Sequence, residues 1–127
     1  MNKTIISTKN APAAIGPYSQ GVILGNLVFT SGQIPADTAS GEIVPGGVDA
    51  QTRQALRNLE EVLNAAGTKL DNVLKTTLFI KNMDDFAAIN EIYARFFGTE
   101  PPARSCIEAA RLPRDVMIEI EAVAYIP

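Results

Sequence analysis

"VMIEIEAVAYI", residues 116–126, alternates with a regularity that decides the fold. Successive side chains of a strand point to opposite faces of its sheet. Val116, Ile118, Ile120, Ala122, Ala124 and Ile126 therefore share one face, and Met117, Glu119, Glu121, Val123 and Tyr125 share the other. The first face is wholly apolar and is expected to lie under helices. The second mixes two carboxylates with apolar groups, too much apolar surface for a sheet face left in water. This strand predicts a sheet covered by helices on one side and by further copies of the chain on the other.

The rest of the chain supplies those helices. "NVLKTTLFIKN" (72–82) is β-branched and alternates Thr and Lys with Leu and Ile, so it reads as a second strand. Before it, Leu56, Leu59, Leu63 and Ala66 fall at helical spacing, with Arg53, Arg57, Glu60 and Glu61 off that stripe. Asp49 is the expected N-cap and Gly67 the expected C-terminal glycine. "MDDFAAINEIYARFFG" (83–98) repeats the pattern, with Asp84 or Asp85 as cap and Phe86, Ile89, Tyr93 and Phe96 or Phe97 as stripe. "GVILGNLVFTSGQI" (21–34) reads as a hairpin around Gly25-Asn26. A Pro- and Gly-rich loop follows, and "LPRD" (112–115) divides the last two strands. The expected order is β-β-α-β-α-β-β: one α+β domain over residues 1–127, a single mixed sheet with both helices on one face.

The composition excludes several chemistries. The chain has 127 residues, a net charge of −3, no histidine and one cysteine. Ser-His and Cys-His pairs, a His-ligated metal, an intrachain disulfide and a multi-cysteine zinc site are thereby ruled out within one chain. No basic block is present to hold phosphates, which argues against nucleic acid as partner. No segment has the apolar length of a signal peptide or a membrane span, and a single free thiol suits a reducing compartment, so the cytoplasm is expected.

What chemistry remains sits in "PPARSCIEAARLPRDVMIEIEA" (101–122). Alternation puts Arg104, Cys106 and Glu108 on one side of their strand, with Arg104 and Cys106 about 7 Å apart. An arginine fork matches a carboxylate bidentately, and a partly buried Glu119 would suit proton transfer near neutrality. The plainer readings stay open: Arg104 as an ion-pair partner, Glu119 as a solvated strand carboxylate, Cys106 as a small buried hydrophobe. "TSGQ" (30–33) is a strand-to-loop transition whose Gly32 offers a backbone N–H. "GPYSQG" (16–21) is a rigid loop carrying Tyr18.

Four segments together, "APAAIGPYSQG" (11–21), "TSGQIP" (30–35), "KTTLFIKNMDDFAAINEIYARFF" (75–97) and "PARSCIEAARLPRDVMIEIEAVA" (102–124), resemble the RidA family of reactive intermediate deaminases, also called YjgF. The match spans nearly the whole chain, and only the connection "FFGTEPPARS" looks shorter than in some members. The resemblance implies a chorismate-mutase-like fold, with three subunits packing their sheets into a central barrel and ligand clefts at the subunit interfaces. It implies hydrolytic deamination of 2-iminobutanoate and 2-iminopropanoate, and of the enamine 2-aminoacrylate that feeds them, to 2-oxo acids and ammonia, without metal or cofactor. Arg104 would anchor the substrate carboxylate, Glu119 would orient water and move protons, and Tyr18 would add its hydroxyl from a neighbouring subunit's loop. Ser31, Gly32 and Asn90 would line the cleft, and Cys106 would form wall. The alternatives are a non-catalytic sensor of 2-oxo acids and, as described for some family members, an endoribonuclease or chaperone.

Overall fold

The computed structural model describes residues 1–127. Strands β1 (Thr4–Ile6), β2 (Gly21–Leu24) and β3 (Leu27–Thr30) precede helix α1 (Val48–Ala66). Strand β4 (Val73–Ile80), helix α2 (Phe86–Phe97), β5 (Ala103–Glu108) and β6 (Ile118–Tyr125) follow. The strands form one six-stranded sheet in the order β1-β2-β3-β6-β4-β5. All neighbours pair antiparallel except β4 with β5. That pair is parallel because α2 carries the chain from the end of β4 back to the start of β5. The sheet is mixed and both helices pack against it, as the sequence predicts.

The alternation of β6 is realised residue by residue. Ile118, Ile120, Ala122 and Ala124 are buried, whereas Glu119, Glu121, Val123 and Tyr125 are partly exposed. The buried side joins Leu56, Leu59, Val62 and Leu63 of α1 and Ile89, Ile92, Tyr93 and Phe97 of α2 in one core. Each fully buried Leu or Ile contributes about 1.5–3 kcal/mol. On the opposite face Ile5, Leu24, Leu27, Phe29 and Ile107 are all exposed, spread across the sheet from one edge strand to the other.

Three details differ from the sequence reading. β1 is an additional strand, three residues long, pairing Ile5 with Val22; so short a run carries no period to detect. Gly47, not Asp49, stands at the N-cap of α1, without a side-chain cap bond, and Asp49 lies in the first turn. There its negative charge still faces the positive end of the helix dipole. Before α2, a turn of 3-10 helix covers Met83–Asp85, and the carboxamide of Asn82 accepts from the Asp84 N–H. Asp85 occupies the N-cap position of α2 but makes no capping bond. Gly67 closes α1 at a φ of 90°, the left-handed conformation that glycine adopts without Cβ strain. No helix is long and apolar enough to cross a membrane.

Candidate active site

The polar residues singled out in the sequence gather into two groups. The first lies under α2. Arg104 pairs in register with Thr76 of β4, and Thr76 with Ala122 of β6; Thr76 and Ala122 are buried on the helix side. Arg104 and Cys106 therefore point towards the helices, not onto the bare face. Phe86, Asn90 and Tyr93 come down on the same side, spaced four and three residues apart along one face of α2. Asn90 Oδ1 accepts a hydrogen bond from Arg104 Nη1 at 2.8 Å. The guanidinium carbon lies 4.8 Å from the ring centre of Tyr93 and 5.2 Å from that of Phe86. Arg104 has no carboxylate partner in the chain; the ion pairs present engage Lys69, Arg95, Arg111 and Arg114. Burial pushes the Cys106 thiol above its ordinary pKa, and the charge of Arg104 opposes this only in part. The thiol stays protonated and makes a poor nucleophile. A hollow beside Arg104 runs between Asn90, Tyr93, Phe97 and the turn at Gly98, Pro101 and Pro102.

The second group lies on the other face. Glu119, opposite Phe79 of β4, is half-buried beside Gly32, and a hollow there is lined by Ile15, Tyr18, Ser31, Gly32, Glu119 and Glu121, with Ile34 and Pro113. Burial pushes the Glu119 carboxyl above the ordinary carboxylate range, and the neighbouring Glu121 pushes it further the same way. The loops around it are tied down. Ser31 Oγ donates to Ser19 O at 2.5 Å, and Ser31 N–H donates to Gln20 O. Gln33 and Ile120 exchange backbone hydrogen bonds. The N–H of Gly32, which lines the hollow, makes no such bond. Tyr18 Oη accepts from the Ile15 N–H at 3.2 Å, and its ring is about half exposed (53%).

The buried side chain behind this loop is Gln20. Its Nε2 donates to Pro12 O (2.8 Å), Thr8 O (3.0 Å) and Ala11 O (3.3 Å), and its Oε1 accepts from the Thr8 N–H at 2.7 Å. A further hollow behind Tyr18 and Gly32 is bordered by Asp37 and Arg114. Both of those charges are already engaged, Asp37 by the N–H groups of Ala39 and Ser40, Arg114 by Gly41 O. It offers no free charged group.

Tyr18, Ser31, Gly32 and Glu119 thus line one hollow, while Arg104 and Asn90 line another across the sheet, with Cys106 on the same strand face as Arg104 but outside that hollow. Within one chain Arg104 and Glu119 do not share a cleft. Sequence reasoning missed Phe86, Tyr93 and Gln20. The first two carried a signal, their spacing around Asn90 on one face of α2; Gln20 carried none, because its partners are backbone atoms. No group of three or more His, Cys, Asp or Glu comes together to hold a metal ion.

A helix-covered mixed sheet with polar groups gathered on both of its faces defines a small α+β domain. Residues 8–126 match the model of the Endoribonuclease L-PSP family. The chain is 56% identical, over 98% of both sequences, to the 2-iminobutanoate/2-iminopropanoate deaminase of Escherichia coli K12. The crystal structure of the E. coli YjgF gene product superimposes with a TM-score of 0.93 at 52% identity, covering 98% of this chain and 99% of that one. E. coli TdcF with bound serine gives 0.91 at 51%, over 96% and 98%. The chain belongs to the Endoribonuclease L-PSP family, the YjgF or RidA group.

Proposed function

We propose that the protein is a homotrimeric deaminase that hydrolyses 2-iminobutanoate and 2-iminopropanoate to 2-oxo acids and ammonia. The observation that carries this reading is Arg104: half-buried, fixed by Asn90 and two rings, and without an anion in its own chain. Such a group suits the carboxylate of a small acid. The relative with bound serine holds a ligand bearing that same group, and the relative at 56% identity carries the deaminase name.

In this reading the exposed apolar sheet faces pack together in a trimeric barrel, and Arg104, on the edge strand β5, meets the Glu119 hollow of the next subunit. The substrate needs little activation, because an iminium carbon is already electrophilic. Arg104 holds the carboxylate. Glu119, its proton affinity raised by burial and by Glu121, takes a proton from water as the oxygen adds to the C=N carbon. Glu119 then returns the proton to the carbinolamine nitrogen; the C–N bond breaks as the C=O forms, the hydroxyl proton passes back to the Glu119 carboxylate, and ammonia leaves. Tyr18 Oη and the Gly32 N–H would steady the developing oxygen charge, while Ser31 keeps the Tyr18 loop in place and Asn90 and Cys106 complete the Arg104 wall. A reducing cytoplasm, in keeping with the free Cys106, is the proposed setting.

The test couples the protein to a threonine dehydratase, which generates 2-iminobutanoate in place, with semicarbazide competing for the imine. Wild type is expected to restore 2-oxobutanoate formation and Arg104→Ala to fail. If wild type has no effect while remaining a folded oligomer, the deaminase assignment is wrong.

A further inference from the structure

We propose that Tyr93 and Phe86 are positioning residues that clamp the Arg104 guanidinium between ring faces, so that its charge is held in place without being neutralised. The inference rests on the reading of Arg104 as a carboxylate anchor.

An arginine is usually immobilised by a carboxylate, but a carboxylate also cancels the charge that an anionic ligand needs. Here every immobilising group is neutral. Asn90 Oδ1 takes one N–H at 2.8 Å. The Tyr93 and Phe86 rings stand 4.8 and 5.2 Å from the guanidinium carbon, within the range where a ring's quadrupole attracts a cation. The nearby acids are turned elsewhere: Glu108, on the same side of β5, accepts from the Met83 N–H at 2.8 Å, and Glu91 pairs with Arg95.

The clamp is itself fixed. Tyr93 Oη lies 2.7 Å from Thr76 Oγ1 in a fully buried contact, and Thr76 is the residue directly across from Arg104 in the β4–β5 pair. The Phe97 ring packs on Tyr93 at 4.5 Å, tilted by 36°. One strand pair therefore places both the arginine and the ring it leans on. Burial also pushes the ionisation of Tyr93 up, so its hydroxyl keeps its proton and adds no negative charge. A fork arranged in advance loses little freedom when a carboxylate docks.

The test is a calorimetric titration of 2-oxobutanoate into wild type, Tyr93→Leu, Tyr93→Phe and Phe86→Glu, each first checked for fold and oligomeric state. Loss of the ring in Tyr93→Leu is expected to weaken binding by about tenfold. Tyr93→Phe keeps the ring and is expected to stay within about threefold of wild type. Phe86→Glu supplies the missing counter-charge and is expected to weaken binding more than Tyr93→Leu. In turnover, Phe86→Leu should raise KM and leave kcat near wild type, because anchoring acts alike on ground and transition states. The clamp is overturned if Phe86→Glu binds as tightly as wild type, if Tyr93→Phe is as weak as Tyr93→Leu, or if wild type binds no 2-oxo acid. Should Tyr93→Leu not fold, the Phe86 variants decide alone. Wild-type binding without turnover would sink the deaminase reading and leave the clamp standing; turnover with unaffected variants would do the reverse.

Discussion

The carboxylate of Glu119 lies directly against Gly32: a methyl group built on that glycine would meet the Glu119 carboxyl carbon at 2.8 Å and Cγ at 3.0 Å. Gly32 is a glycine because of what sits on it, not because of an unusual φ. Gly32→Ala should therefore act on Glu119. Displacing an acid–base group by a fraction of its reach costs up to about 10²-fold in rate. Gly32→Ala is expected to lose kcat on that scale while its oligomeric state and thermal midpoint change little, as turnover assays beside sizing and calorimetry would show. Full activity in Gly32→Ala would remove Glu119 from the chemistry as proposed.

Arg104 and Glu119 stand on opposite sides of one sheet, so complementation between inactive chains tests how the cleft is completed. Arg104→Ala and Glu119→Gln should each be inactive alone. Unfolded together and refolded as mixed trimers, they should regain activity, because in the proposed assembly any mixed trimer would contain one interface with an intact arginine facing an intact glutamate. Random mixing in equal amounts predicts about a quarter of the wild-type rate. No recovery in verified mixed trimers would mean that each site draws both residues from one chain.

Glu121 offers a handle on pH. Its charge is one of two causes raising the Glu119 proton affinity, burial being the larger. If ionised Glu119 is the base, kcat/KM falls as pH drops through the Glu119 pKa, and the raised pKa places that limb above the ordinary carboxylate range. Removing the neighbouring charge lowers the pKa. Glu121→Gln should accordingly move the acid limb of the profile to lower pH, with the plateau rate retained. A shift to higher pH, or none, would separate the limb from Glu119.

Gln20 carries the fourth prediction. Its carboxamide holds the backbone of Thr8, Ala11 and Pro12 at 4% exposure. Gln20→Leu keeps the bulk and abandons those backbone groups, an expected loss of about 2–3 kcal/mol. Denaturant unfolding should register it, and limited proteolysis should cut first within residues 8–18. Unchanged stability would mean that water replaces the amide without cost.

Much of this was legible beforehand, and the limits follow from the range of each signal. The alternation of β6 is local, so both of its faces could be read directly, as could the stripes Leu56-Leu59-Leu63 and Ile89-Tyr93. Alternation also groups Arg104 with Cys106 correctly. Which side of the sheet that pair occupies depends on the register of β5 against β4, where Arg104 meets buried Thr76, and no local pattern encodes a register between distant strands. The caps were legible in part. Asp85 does stand at the N-cap of α2, though without a side-chain capping bond, whereas Gly47 takes the N-cap of α1 and Asp49 falls in the first turn.

In the proposed assembly, the division of polar groups between two faces would also tie catalysis to the amount of protein present. A site completed inside one chain would keep its specific activity on dilution. A site whose anchor and acid reside on different molecules vanishes when they part, so specific activity should decline once the protein falls below its assembly constant and return on reconcentration. Scarcity would then silence the enzyme without any effector, and abundance alone would switch it on.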